Sequence, residues 1–175
     1  NKSFLPAGKG SDGLYFGMYE RYSHNVVPHR RCLLQPPVMD EILDELTSFA
    51  HKAKLEPYDE ITWKGILRHA GIRLNRAGDE ILVILVTKGS KFPFTNQLIR
   101  TLINRFPMIK GIIQNINRSV GNVILGNEEK LLFGSPYLNE ELDGIKLRLH
   151  YKSFFQVNQP VATLLYQHLD SLLDK

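Results

Sequence analysis

The sequence Ile81-Leu82-Val83-Ile84-Leu85-Val86 is an uninterrupted run of aliphatic side chains, and it decides how the rest of the chain is interpreted. A strand with one solvent-exposed face alternates apolar and polar residues, whereas a strand that is buried on both faces is apolar throughout. We therefore predict a strand at residues 80–88 that is buried on both faces. Residues 63–75 precede it across the turn Ala77-Gly78-Asp79, so the two segments are expected to form a hairpin.

The segments on either side of this hairpin predict short strands mixed with helices. Apolar residues at helical spacing predict helices at 37–54, 94–106 and 158–173. β-prone runs predict strands at 14–20, 25–29, 109–117 and 144–151, and a second hairpin from 120–125 and 130–133. Residues 1–12 are rich in Gly, Lys and Ser and are expected to form a loose arm. Paired hairpins with few crossovers favour an α+β fold, with a mainly antiparallel sheet and two or three helices.

The bulk composition sets broad limits on function. The 175 residues carry a formal net charge of +4 and one cysteine, Cys32. This length suits one compact domain, or one domain plus a fragment, and the mild positive charge permits a polyanionic partner without requiring one. A lone cysteine cannot form an internal disulfide, which favours a reducing compartment, and no apolar run is long enough to cross a bilayer. We expect a cytoplasmic protein without a membrane partner.

Cys32 is a candidate nucleophile because it follows His29-Arg30-Arg31, and nearby positive charge favours a thiolate. It is also followed by Leu33 and Leu34, and a lone cysteine beside aliphatic residues is more often packed in a core. The histidines are not spaced like metal ligands, although His24 and His29 could meet across a turn. A self-contained metal site is therefore not expected.

Basic side chains form two candidate contacts with nucleic acid. One segment carries Lys64, Arg68, Arg73 and Arg76, and a second, on and after one predicted helix, carries Arg100, Arg105 and Lys110. Together with aromatic residues they could hold phosphates and stack bases; the aromatic candidates are Tyr15, Tyr19, Tyr22 and Trp63. A solvated charged face is the plainer interpretation, and the sequence alone favours it over RNA binding.

Residues 153–158, hereafter the SFFQVN segment, join the last predicted strand to the last predicted helix. Asn158 is well placed to cap that helix, and the Gln156 amide can both donate and accept hydrogen bonds to a polar cofactor. The alternative is an ordinary start of a helix, in which Phe154 or Phe155 anchors the core. The residues leave these two interpretations evenly balanced.

Four blocks of sequence, in order, carry a family resemblance. They are Phe16-Gly17 through His24-Asn25-Val26-Val27 to Cys32; Leu67-Arg68-His69 with Arg73; Asn115-Ile116-Asn117 with Asn122-Val123-Ile124-Leu125-Gly126, followed by Phe133-Gly134 and Tyr137-Leu138; and the SFFQVN segment. In this order they resemble the S-adenosyl-L-methionine-dependent RNA (uracil-5-)-methyltransferases, which modify rRNA or tRNA. The resemblance covers nearly the whole chain.

This resemblance implies roles for three residues. Gln156 matches a glutamine that contacts S-adenosyl-L-methionine, and Phe154 matches a position near the target-base pocket, so both are candidates for the cofactor site. Cys32 matches the fourth cysteine ligand of the [4Fe-4S] cluster in cluster-bearing members. Such a cluster takes four thiolates, and the other three come from an upstream Cys-rich segment that this sequence does not contain. Cys32 is therefore expected to be a bare thiol here.

The resemblance also implies a division of the chain. Residues 1–150 match the central domain, and residues 151–175 match the opening of the catalytic domain that binds S-adenosyl-L-methionine. Members of the family attack uracil C6 with a cysteine thiolate, transfer the methyl group to C5 and remove the C5 proton with a base. In the family these groups and a glycine-rich loop lie downstream of the segment seen here. We expect an RNA partner, no DNA partner, and no activity from this chain alone.

Two further hypotheses remain open from the sequence. The chain could be a free-standing RNA-binding module without chemistry, in which case its binding would weaken with salt. It could also be an isolated cofactor-binding protein, although Gln156 alone is not expected to enclose S-adenosyl-L-methionine.

Overall fold

The computed structural model describes residues 1–173. In chain order its elements are β1 (Lys2–Gly10), β2 (Gly13–Tyr19), β3 (Val26–Pro28), α1 (Pro37–Lys52), β4 (Leu67–Leu74), β5 (Ile81–Thr87), α2 (Thr95–Arg105), β6 (Ile109–Ile116), β7 (Glu128–Gly134), β8 (Tyr137–Leu142), β9 (Ile145–His150) and α3 (Gln159–Leu173). None of the described helices has the length and apolar character needed to span a bilayer.

The strands form one large mixed sheet and one separate hairpin. The sheet has the order β3-β2-β1-β4-β5-β6-β7, and β8 pairs with β9 alone. Only β5 and β6 run parallel within the described sheet, because α2 carries the chain back across the sheet between them. The other neighbouring strands are antiparallel. The predicted α+β fold with a mainly antiparallel sheet is confirmed.

β5 lies in the middle of this fold and is buried on both faces, as its unbroken apolar sequence predicts. Ile81, Val83 and Leu85 join the larger core cluster, which α1 and α2 complete with side chains such as Leu46 and Leu102. The alternate residues of β5 form a second cluster with Ile113, Leu138 and Tyr151; they are Leu82, Ile84 and Val86. Because successive side chains of a strand point to opposite faces of the sheet, β5 contributes to both clusters.

The N-terminal segment is a strand, so the predicted loose arm is wrong. Residues 2–6 of β1 pair with β4, and residues 7–10 pair with β2. Leu5 and Ala7 are buried between these neighbours. Pairing on both sides outweighs the weak β propensity of the Gly and Lys residues, because strand preference depends mostly on the available partners.

The predicted hairpin of 120–125 with 130–133 is also wrong. Only β7 forms there, and it pairs with β6. The Asn115 amide bonds both the carbonyl oxygen and the N–H of Gly126, at 3.0 and 2.7 Å. The Asn117 amide donates to the carbonyls of Val123 and Ile124. These side chains take the place of a strand ladder, so the loop at 117–127 is held without a partner strand.

Two smaller differences concern strand ends and a missed strand. β4 begins at Leu67, not at residue 63, because Asp59 accepts hydrogen bonds from the backbone N–H groups of Ile61 and Thr62 and closes a turn there. β8 was not predicted from its acidic sequence, yet it pairs with β9 across a tight Asp143-Gly144 turn. Both turn residues have positive φ, as such hairpin turns require.

We expect the replacement Ile84→Ala to lower the free energy of unfolding by about 2–5 kcal/mol, because it leaves a cavity between the sheet and the β8–β9 hairpin. Ile145→Ala is the matched control, since that side chain is 64% exposed, and it should change the free energy by less than about 0.5 kcal/mol. Urea unfolding of the two variants measures the difference. Equal effects would contradict burial of β5 on its second face.

Candidate functional site

The guanidinium group of Arg73, on β4, holds the turn that leads into the SFFQVN segment. Its Nη1 atom donates to the carbonyl oxygens of Ser153 at 2.8 Å, His150 at 2.9 Å and Tyr151 at 3.4 Å. The Arg73 side chain is buried in the sheet. A buried charge is costly unless its hydrogen bonds are satisfied, so these carbonyls fix both the arginine and the turn.

Tyr151 ties the same turn to the sheet from the other side. Its hydroxyl donates to the Glu129 carboxylate at 2.6 Å and accepts from the Asn115 amide at 3.1 Å. Burial, together with the Glu129 carboxylate, raises the pKa of Tyr151 above its ordinary range, so the hydroxyl stays protonated. Burial alone would raise the pKa of Glu129, but Lys152 and Tyr151 outweigh it and lower that pKa. Apart from the Asn115-Ile116-Asn117 block, no sequence pattern indicated this network.

The SFFQVN segment itself faces solvent. Phe154 is 79% exposed, so the interpretation of Phe154 as a core anchor is wrong, while Phe155 is half-buried. The side chain of Gln156 is exposed. The Asn158 carbonyl accepts the N–H of Ala162 at the start of α3, while the side-chain cap expected of Asn158 stays a prediction. The rigid turn before the segment thus presents Phe154 and Gln156 outward, away from the core.

The helix that follows exposes its apolar side chains. Among the described residues of α3, Ala162 is buried, whereas the predicted apolar positions Val161, Leu164, Leu165, Leu169 and Leu172 are between 44 and 65% exposed. Isolated exposed apolar residues are ordinary, but a contiguous apolar helix face is typical of a surface that another structure covers. The described part of the chain does not cover it.

Arg68, also on β4, holds a second irregular segment. Its guanidinium donates to the carbonyls of Ser119 at 2.6 Å, Asn117 at 3.2 Å and Gly121 at 3.5 Å. The guanidinium carbon also lies 4.7 Å from the centre of the Tyr58 ring. Arg68 and Arg73 are therefore buried supports for loops, so for these two residues both the favoured solvated face and the exposed phosphate contact are wrong.

A cleft opens where the ends of β2 and β4 meet the loops at 56–64 and 117–124. Two adjoining cavities of about 790 and 500 Å³ share the residues Tyr19, His24, Glu60, Arg68 and His69. We call this space the β4 cleft. Burial and the positive charge of Arg68 lower the pKa of His69 from 6.5 to about 4. The imidazole is therefore neutral at ordinary pH.

The other sequence candidates are separated from one another. His29 contacts Asp40 at 2.6 Å, whereas His24 lies against the Tyr19 ring, so these histidines do not form a pair. Cys32 is partly exposed and Leu33 and Leu34 almost fully so, which contradicts the packed-core interpretation. Arg105 pairs with Glu45 and Lys110 with Glu80, so these two cations are already neutralised by carboxylates.

Neither the cluster nor the cofactor is enclosed by this chain. A [4Fe-4S] cluster needs four thiolates, the sequence has one, and no three His, Cys, Asp or Glu side chains of residues 1–173 are grouped as metal ligands. The residues present do not fit the cluster. The exposed Gln156 amide is chemically suited to the amino-acid part of S-adenosyl-L-methionine, but by itself it forms one wall of a site.

Comparison with known proteins gives a consistent set of relatives. The chain is 32% identical over 166 residues to an uncharacterized RNA methyltransferase of Halalkalibacterium halodurans, and 33% identical over 167 residues to one of Oceanobacillus iheyensis. Each match covers 95% of this chain and 36% of the relative. A relative in Staphylococcus aureus is 32% identical. No protein-family model matched the chain.

Among solved structures, the fold is similar to that of the Pyrococcus abyssi tRNA (uracil-54, C5)-methyltransferase, crystallised with S-adenosyl-L-homocysteine. The TM-score is 0.78 at 24% identity, and the match covers 98% of this chain and 40% of that one. At this identity the likeness shows the fold alone. The chain spans little more than a third of the length of the relatives it matches.

We expect Arg73→Met to release the turn at 150–153, because three carbonyls lose their donor. Hydrogen exchange at the amides of residues 151–156 should accelerate, and the free energy of unfolding should fall by about 2–5 kcal/mol. Arg76→Met is the control, since that arginine is exposed. Unchanged exchange at the turn in Arg73→Met would show that the guanidinium does not hold it.

His69 should make stability depend on pH in a defined window. Because its folded pKa is lowered to about 4, the unfolded chain binds a proton between pH 6.5 and 4 that the folded chain does not. The stability that the neutral, buried His69 imidazole contributes is therefore complete above pH 6.5 and is lost progressively as the pH falls toward 4. The free energy of unfolding, measured with urea at several pH values across that range, should depend less steeply on pH for His69→Gln than for the unaltered chain. An NMR titration that places the imidazole midpoint near 6.5 would contradict the assignment.

Proposed function

We propose, from the homology of this chain to a segment of RNA methyltransferases, that it is part of an enzyme that methylates uracil C5 in RNA, with S-adenosyl-L-methionine as the methyl donor. The observation that carries the proposal is the SFFQVN segment, which Arg73 bonds at the Ser153 carbonyl and which exposes Phe154 and Gln156. The relatives support RNA methylation in general, and the finer assignment to uracil C5 rests on the four sequence blocks.

In this proposal residues 1–150 form the central domain and residues 151–175 open the catalytic domain. The exposed apolar face of α3 then packs against the remainder of that domain, which the relatives' greater length provides. Tyr151 is completely buried beneath the β8–β9 hairpin, which anchors the chain to the sheet just before the SFFQVN segment. The beginning of the SFFQVN segment, at Ser153, is therefore tied to the sheet.

The chain's own contribution to the chemistry is binding and orientation. When bound, S-adenosyl-L-methionine supplies the methyl group. Gln156 would hold the cofactor through its amide, and Phe154 would offer an apolar ring beside the target base. Uracil C5 needs activation before it accepts a methyl group, and the nucleophile and base for that step belong to the remainder of the parent enzyme. We further propose that the parent acts in the cytoplasm and that Cys32, if the parent holds a cluster, would supply one of its four ligands.

The experiment uses the full-length parent with labelled S-adenosyl-L-methionine and unmodified rRNA and tRNA. Label should appear as 5-methyluridine after nuclease digestion. Gln156→Ala should raise KM for the cofactor by roughly tenfold, the size expected for one lost hydrogen bond in a binding site. Gln167→Ala is the matched control, because that exposed amide lies outside the SFFQVN segment and donates to Asp143. Label on cytosine or on an exocyclic nitrogen would overturn the proposal.

A further inference from the structure

The floor of the β4 cleft is built by an irregularity in β4. Leu67 pairs with Thr87 and His69 with Val86, so Arg68 is an extra residue between them. Such a bulge bends the strand and redirects its side chains. Neighbouring residues of a regular strand point to opposite faces, but here Arg68 and His69 line the same cavities. Bulges of this kind often occur beside binding sites.

The two residues of this bulge each carry a buried polar atom without a hydrogen-bond partner among the described residues. These atoms are the Nε atom of Arg68 and the Nδ1 atom of His69. Both residues are at most 5% exposed. Buried polar groups are nearly always satisfied in folded proteins, so two unsatisfied atoms on adjacent residues that line a cleft indicate a polar ligand. Arg68 Nε can only donate, whereas the neutral imidazole of His69 can donate or accept.

The rest of the cleft selects the ligand's chemistry. Asp59 and Glu60 line the cavities, and their carboxylates disfavour an anion at the floor. Exposed aromatic rings stand at the rim, with Tyr19 45% and Tyr22 92% exposed. Lys64, which is also exposed, lines the larger cavity. A flat, neutral group that forms hydrogen bonds suits the cleft floor and the tyrosine rings, and a negatively charged group suits Lys64. A nucleotide has both, in its base and its phosphate.

We propose that the β4 cleft binds one unpaired nucleotide of the RNA substrate, with its base stacked on Tyr19 and its edge hydrogen-bonded by His69 Nδ1 and Arg68 Nε. This inference rests on the proposed function, because it takes RNA as the partner. It concerns a site separate from the SFFQVN segment: residues 153–158 do not line the cavities that form the cleft. The nucleotide bound here is therefore distinct from the target base, and it helps to position the RNA strand.

The test measures binding of a short fluorescent oligouridylate to this chain by anisotropy at low salt. Tyr19→Ala should weaken binding by roughly tenfold, the loss expected for one stacked base. Tyr19→Phe keeps the ring and should keep the affinity. Tyr166→Ala is the matched control, since Tyr166 is 42% exposed, on α3 and outside the cleft, and it should bind normally.

A second measurement needs no substitution. The ¹⁵N signal of His69 Nδ1 in the unaltered chain should shift when the oligouridylate is added, while that of His168 on α3 should not. A fixed His69 signal, equal affinities of Tyr19→Ala and Tyr166→Ala, or no detectable binding would each overturn the inference. If the cleft fails these tests while the parent makes 5-methyluridine, only this inference falls. If the parent makes none but His69 responds, the cleft is a nucleotide site of a protein with another activity.

Discussion

The buried guanidinium groups of Arg68 and Arg73 are the constraint on which the functional surfaces depend. Both arginines lie on β4, and each donates to carbonyl groups of an irregular segment: Arg68 to the loop at 117–121, Arg73 to the turn at 150–153. Carbonyls outside helices and sheets need donors when buried, and a charged donor forms the stronger bonds. The arginines in turn are stable in the sheet only because the loops surround them. One strand thereby fixes one wall of the β4 cleft and the position of the SFFQVN segment.

The sheet can carry these charges because its centre is covered on both sides. β5 fills the helical core with one set of side chains and the core beneath the β8–β9 hairpin with the other. Tyr151 closes the second core and also reaches Glu129 and Asn115. Packing and polar bonding therefore converge on the residue that precedes the SFFQVN segment. The anchored turn thus places the exposed Phe154 and Gln156 directly after a buried residue.

The sequence predicted the regular elements better than the polar ones. The unbroken apolar run of β5 and the spacing of α1 and α2 were sufficient, because hydrophobic periodicity reports directly on burial. β1 was missed because its strand character comes from its partners β2 and β4, which composition does not reveal. The burial of the basic residues was missed for a related reason, because the sequence does not show whether an arginine binds a phosphate or a backbone carbonyl oxygen. The family resemblance predicts a cofactor contact at Gln156, which stays a prediction, and it singled out the Leu67-Arg68-His69 block, whereas the cleft depends on a bulge that only the structure displays.

The most direct test of these arginine contacts is to measure, by NMR, how fast the arginine side-chain protons exchange with solvent. If both guanidinium groups are locked to loop carbonyls, the Nη protons of Arg68 and Arg73 should exchange far more slowly than those of the exposed Arg76, and show scalar couplings to the carbonyl carbons of Ser119 and Ser153. Rapid exchange at Arg68 and Arg73, matching that of Arg76 and without such couplings, would contradict the claim that β4 holds the two segments.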